Sequence, residues 1–336
     1  MILKNDGITW KDTDGNPIHA HGGGMLEADG WYYWYGEDRR ENYYVNCYRS
    51  RNLMNWEFRG HILTTESAVS PLSHETDLML KRDPSGYYGE KSVLAVAGED
   101  VFHRVNLERP KVLYNAKTGK YVMWMHFENG VNYDCARAAI ASCDTPDGEF
   151  VYHGSFRMPG TTSRDCTLFR DDDGAAYFIS SSNNNKDLNV YRLTEDYLGV
   201  ARLVQVLFPG QYREAPMVFK QNGKYYILTS GNTGWRPNQC QYASADSMAG
   251  PWSGLENCAD ETTYDSQGAF TIPLHNSGRV QYVYVGDRWV GAEYFHSSYV
   301  AFPIEIEEDG KLTMPFYKAF TLKEKTGEYV PAEETA

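Results

Sequence analysis

The chain has 336 residues, 32 Lys+Arg against 45 Asp+Glu, and 14% aromatic content. A formal charge of −13 leaves no basic face for nucleic acid or an anionic membrane surface, so neither is an expected partner. The 26 Tyr, 14 Phe and 8 Trp exclude disorder and lean towards a neutral, hydroxyl-rich partner such as a sugar, and no apolar run approaches the roughly 20 residues that span a bilayer.

Met1-Ile-Leu-Lys-Asn-Asp lacks a basic segment followed by an apolar stretch, so it does not read as a signal peptide. The compartment is left as cytoplasmic, or secreted or periplasmic after loss of a signal. Cys47, Cys135, Cys143, Cys166, Cys240 and Cys258 form no CxxC pair and no metal spacing with histidine. Free buried thiols are expected, and no metal site.

In chain order, a glycine followed by an aromatic or β-branched run recurs five times. The runs are Gly30-Trp-Tyr-Tyr-Trp-Tyr, Gly119-Lys-Tyr-Val-Met-Trp, Gly174-Ala-Ala-Tyr-Phe-Ile, Gly223-Lys-Tyr-Tyr-Ile-Leu and Gly278-Arg-Val-Gln-Tyr-Val-Tyr. Each reads as a tight turn opening a buried strand. Their spacings of 89, 55, 49 and 55 residues match a four-stranded propeller blade of about 50 residues, with one long interval. Downstream, a polar turn leads to an aromatic that opens a fourth strand, as at Trp56, Phe150 and Trp252. The expected fold is all-β, a five-bladed β-propeller. Residues 1–336 read as a single catalytic domain with an insertion at about 64–104 between the first and second blades. No carbohydrate-binding module follows, and the last dozen residues read as solvated and frayed.

Upstream of each glycine lies an element that begins polar and turns apolar. Its head is His21, Glu108, Asp165, Glu214 or Gln267. Innermost propeller strands run along the axis, so these heads should gather at one mouth of the channel, in one shared site. Hydrolysis of a glycosidic bond needs a proton donor on the leaving oxygen and a group acting on water. Glu214, aimed by Ala215-Pro216, is the candidate acid, and Asp165 the neighbour that raises its pKa by like charge. Trp235 and Trp289 could stack on the apolar face of a pyranose. His126 and His296 read as satisfied polar groups, whereas His21 could contact sugar or water.

These residues resemble glycoside hydrolase family 43, in its subfamily of exo-acting galactan 1,3-β-galactosidases. The resemblance is carried by Ala20-His21-Gly22-Gly23-Gly24, Tyr35-Gly36-Glu37, Glu108-Arg109-Pro110-Lys111, Ser163-Arg164-Asp165, Glu214-Ala215-Pro216, Gly234-Trp235-Arg236-Pro237-Asn238, Tyr264-Asp265-Ser266-Gln267 and Gly286-Asp287-Arg288-Trp289. It implies an inverting enzyme that releases galactose from the non-reducing end of β-1,3-galactan, the backbone of arabinogalactan. Glu214 is then the acid, Asp165 its tuning residue and Gln267 the residue at the base position. Glu108, Glu37, Tyr133, Asn184, His21, Trp235, Thr233 and Trp289 are the implied sugar contacts. No cofactor is implied beyond a structural cation in the axial channel, for which the sequence shows no ligand set. A neutral amide is a poor proton acceptor, so Gln267 either orients the water or relays a proton as its imidic tautomer. If water must fit between sugar and base position, Glu214 and Gln267 should stand about 6.5–9.5 Å apart. An α-L-arabinofuranosidase or β-xylosidase of the same family, or a non-catalytic sugar-binding propeller, are the competing readings.

Overall fold

The computed structural model describes residues 2–40, 42–72, 74, 76, 105–130, 132–276, 279–322 and 329–331. Most of the expected insertion therefore lies outside the described residues, as does Gly278.

Five four-stranded antiparallel sheets follow one another along the chain, each built from one contiguous stretch. The first blade runs from His21–Ala28 through Trp31–Glu37 and Tyr43–Ser50 to Glu57–Thr64. The innermost strands of the others are Asn106–Asn115, Ser163–Arg170, Arg213–Gln221 and Gln267–Asn276. Each innermost strand touches the next, and the fifth touches the first, which closes the ring. The glycine-led runs form the second strands, and Gly30, Gly119, Gly174 and Gly223 turn with φ of 70–81°. The fold is the expected five-bladed propeller. Among the described residues the only helix is the 3-10 turn Tyr294–His296, and no helix is long and apolar enough to cross a membrane. The six cysteines are free thiols.

Alternation explains why the second strands read as unbroken apolar runs. Tyr33 and Tyr35 pack towards the second blade, whereas Trp34 between them packs towards the fifth. Tyr225 and Ile227 face the third blade, and Tyr226 and Leu228 the fifth. A strand buried on both faces needs apolar residues at every position. The core is accordingly five clusters, one between each pair of adjacent blades.

The ends of the chain clasp the ring. Ile2–Lys4 pairs with Ala319–Leu322, which pairs in turn with Tyr329–Pro331, so part of the expected frayed tail lies in a strand. Asn5 donates from Nδ2 to the carbonyls of Ala301 and Tyr317, 2.8 Å each, and accepts the Ala301 N–H at 2.9 Å. Tyr299 on the fifth blade donates to the Ile18 carbonyl at 3.1 Å and receives the Ala20 N–H at 2.8 Å.

All five innermost strands slip register at or just after the polar head, with Asp165 inside the slip of its own strand. The slips lie between His21 and Gly24, Glu108 and Lys111, Ser163 and Cys166, Glu214 and Met217, and Gly268 and Phe270. Gly22, Arg109 and Ala215 take positive φ there, 57°, 53° and 49°. A bulge re-aims the adjoining side chains, so the repeated slip turns the heads into the mouth of the channel.

Truncating Asn5 to Ala would leave the buried Ala301 amide without either partner atom. The expected cost is about 2–3 kcal/mol in denaturant unfolding. Asn5→Asp keeps the acceptor but turns a carboxylate oxygen towards the Ala301 and Tyr317 carbonyls, so it should cost at least as much as Ala. Equal stability of all three would show that the clasp contributes nothing.

Candidate active site

The register places a polar residue of the second strand opposite four of the five heads: Glu37 faces His21, His126 faces Glu108, Ser230 faces Glu214 and Asp287 faces Gln267, whereas Asp165 lies within the slip of its strand. Four of the heads, together with Glu37 and His126, line a pocket of about 280 Å³. Its lining includes Glu37, Glu108, Tyr133, Asp165, Glu214, Trp235, Gln267 and Trp289, all expected from the sequence. It also includes Arg39, Arg109, Arg164, Asn185 and Asn232, to which the sequence reading gave no site role, and His126, which it read as a satisfied polar group. Four carboxylates meet three arginines and a histidine. Such balance suits a neutral ligand, and small-molecule pockets run upwards from about 300 Å³, so the space fits a single sugar ring.

One group of charges sits on the first two blades. Arg39 donates from Nε to Glu37 and from Nη2 to Glu108, both at 2.9 Å. Tyr133 Oη donates to the same Glu108 oxygen at 2.8 Å. His126 lies between Glu108 Oε2 at 3.2 Å and Glu128 Oε1 at 2.9 Å. Burial alone would raise the Glu108 carboxyl, but Arg39, His126 and Tyr133 outweigh it and hold it down to about 2. Burial would likewise discharge His126, yet Glu108 and Glu128 lift it to about 9. His126 is therefore an imidazolium at neutral pH, more than a satisfied core histidine. Burial raises the Glu37 carboxyl against the pull of Arg39.

The second group surrounds Glu214, which is 8% exposed. Burial first, then the negative charge of Asp165, push its pKa up to about 8. Asp165 accepts from Arg109 Nε at 2.7 Å and from the Ala215 N–H at 3.1 Å. Gln267 donates from Nε2 to Glu214 Oε1 at 2.9 Å and to Ser230 at 3.0 Å. That contact overturns the expected separation of about 6.5–9.5 Å. The physical reason is charge: a neutral amide feels no repulsion from the carboxyl, so nothing holds the two apart.

Three expected contacts stand elsewhere. His21 is fully buried below the pocket, 2.9 Å from Asp287 and stacked on Tyr299 at 4.6 Å. Asn184 is exposed, with its N–H on the Thr162 hydroxyl at 2.7 Å, and its neighbour Asn185 lines the pocket instead. Thr233 spends its hydroxyl on the Arg236 carbonyl at 2.6 Å, and Asn232 and Gly234 on either side line the wall. Trp235 is 43% exposed at the rim, edge-on to Trp289 at 5.3 Å. A Cβ on Gly291 would come within 2.6 Å of that indole, so only glycine leaves it room.

No group of His, Cys, Asp or Glu among the described residues could hold a metal ion. The Lys111 ammonium, 5% exposed, instead runs between innermost strands to the Gly22 carbonyl at 2.8 Å, and burial depresses its pKa to about 7.

A one-sugar pocket at a propeller mouth, holding a buried carboxyl whose pKa is raised, has the proton donor that glycoside hydrolysis requires. The chain belongs to glycosyl hydrolases family 43, whose family model matches residues 113–312. It is similar to the crystal structure of an exo-β-1,3-galactanase from Clostridium thermocellum, with 44% identity, a TM-score of 0.85, and coverage of 99% of this chain and 69% of that one. An exo-β-1,3-galactanase from Phanerochaete chrysosporium, solved with β-1,3-galactotriose, is 32% identical at a TM-score of 0.80, over 98% of this chain and 70% of that one. A β-D-galactofuranosidase from Aspergillus niger is 27% identical over 139 residues, so the match spans 40% of this chain and 39% of that relative.

The His126 charge links stability to pH. Its folded pKa of about 9 lies above the ordinary 6.5, so its contribution is complete below pH 6.5 and is lost as pH rises through 9. Parent minus His126→Gln stability, measured by urea unfolding from pH 6 to 10, should fall by about 3 kcal/mol across that window. A flat difference would mean that His126 is neutral in the folded protein.

Proposed function

We propose that this chain is an inverting, exo-acting hydrolase that releases galactose from the non-reducing end of β-1,3-galactan. The observation that carries the reading is Glu214, a buried carboxyl with its pKa raised to about 8, facing a pocket of single-sugar size. An acid protonated at neutral pH is what an unactivated glycosidic oxygen needs in order to leave. The exo reading is supported by the pocket's size, about 280 Å³ and so room for one terminal sugar. Likeness to two exo-β-1,3-galactanases supports galactose and the β-1,3 linkage.

In this reading Glu214 protonates the glycosidic oxygen. Asp165 keeps that proton in place by its charge, and the ion pairs of Arg39 with Glu37 and Glu108 present fixed acceptors and donors to the sugar hydroxyls. Trp235 and Trp289 cover an apolar ring face. Water attacks from the opposite side of the anomeric carbon as the glycosidic C–O bond breaks, and its surplus proton passes to bulk water, so a β-linkage yields α-galactose first.

Glu214→Gln should lose about 10³-fold or more in turnover of β-1,3-galactobiose. Retention of activity within about tenfold would remove Glu214 from the acid role. Proton NMR of fresh product should show α-galactose, and initial β-galactose would mean retention of configuration.

The parent should lose activity as pH rises through about 8, where Glu214 gives up its proton. Removing the neighbouring negative charge stabilises the ionised form, so Asp165→Asn should shift that alkaline limb downwards. An upward shift would contradict the assigned electrostatics.

A further inference from the structure

We propose that Arg109 is the positioning residue of the pocket, and that it holds Gln267 as a carboxamide whose nitrogen braces the acid. This inference rests on the reading of Glu214 as that acid.

Arg109 occupies the bulge of the second blade's innermost strand, with φ of 53°. Its carbonyl has left the strand ladder and accepts from Lys111 Nζ at 3.4 Å and Cys166 Sγ at 3.7 Å. Its side chain, in a residue 5% exposed, reaches two other blades. Nε donates to Asp165 Oδ2 at 2.7 Å, Nη2 to Gln267 Oε1 at 2.6 Å and Nη1 to the Gly268 carbonyl at 2.9 Å. One rigid planar fork thus sets two side chains and a strand end.

The fork decides the form of Gln267. Guanidinium and indole N–H groups only donate. Gln267 Oε1 receives one from Arg109 and a second from Trp289 Nε1 at 2.9 Å. That oxygen is a carbonyl. In the imidic tautomer it would carry a hydrogen of its own, pressed against two donors that cannot turn into acceptors. The nitrogen then carries both hydrogens and gives one to Ser230 and one to Glu214 Oε1. A carbonyl oxygen accepts such a hydrogen better than a hydroxyl oxygen does, so this bond favours the proton of Glu214 on Oε2. Every donor and lone pair of the amide is engaged. Gln267 is therefore a brace for the acid, and takes no proton from water.

Asp165 is held by the same fork, with its Oδ2 on the backbone N–H of Ala215, next to the acid. Both neighbours that set the orientation and charge of Glu214 depend on Arg109.

Arg109→Lys keeps the charge and loses the fork. Its turnover of β-1,3-galactobiose should fall about 100-fold, with KM within about threefold of the parent and the alkaline limb unmoved. Arg109→Met should fall at least as far, with the limb shifted upwards, because the guanidinium charge no longer favours ionised Glu214. Near-parent turnover in both variants, or a loss carried by KM alone, would overturn the assignment. The second measurement is independent of activity: a 1H–15N correlation spectrum of the parent should show a paired NH2 signal that disappears in Gln267→Ala. A single N–H in its place would establish the imidic form and overturn the proposal, even if the Arg109 variants failed to fold. Near-parent activity of Glu214→Gln would sink the acid reading instead, so the two failures remain separate.

Discussion

Five sheets converging on one axis leave a channel, and water in that channel would solvate the strand ends that should pack. In this protein two long cations from one strand, Arg109 and Lys111, cross between the innermost strands to the Gly268 and Gly22 carbonyls. Burying cations demands partners, because an unpaired buried charge costs several kcal/mol. The guanidinium finds Asp165 and the Gln267 oxygen, and the pocket lies on top of the pairs so formed. Closing the axis and furnishing the site are one solution to one physical problem.

The arrangement also separates two kinds of carboxylate. Glu108 is surrounded by Arg39, His126 and Tyr133 and stays ionised despite burial. Glu214 is buried beside a negative neighbour and a neutral amide, and keeps its proton. The same residue type serves recognition at one position and proton donation at another, and the difference is made entirely by the partners. A second carboxylate in place of Gln267 could not approach to 2.9 Å unless the pair shared a proton.

Much of this was legible in the sequence because the propeller repeats. The glycine-led aromatic runs gave the second strands, and the polar heads before them gave Glu108, Asp165, Glu214 and Gln267 at one mouth. The partners were less visible. Arg39, His126 and Asp287 sit at or near the far ends of second strands; register shows that His126 meets Glu108, but only the closed ring shows that Asp287 meets His21 and that Arg39 meets Glu108. The repeated polar residue closing Tyr35-Gly36-Glu37, Thr229-Ser230 and Gly286-Asp287 was a signal that would have found some of them. Asn184 and Asn185 cannot be told apart by pattern, since three consecutive asparagines turn with φ of 51–63° and only the turn decides which one faces inwards. The closeness of Glu214 to Gln267 follows from bulges whose presence no local propensity announces.

Each blade is one contiguous stretch, yet the pocket draws on all five, and the clasp at Asn5 joins residues 296 positions apart. During synthesis a blade can pair its own strands as it emerges, but its two apolar faces remain bare until neighbours arrive on both sides. The first blade waits longest, because the fifth must form before its Trp34 face is covered. Long-range closure of this kind is slow and leaves sticky intermediates. A chain ending after the fourth blade would carry Glu214 without Gln267, and the uncovered faces of its first and fourth blades would meet other chains before they met substrate.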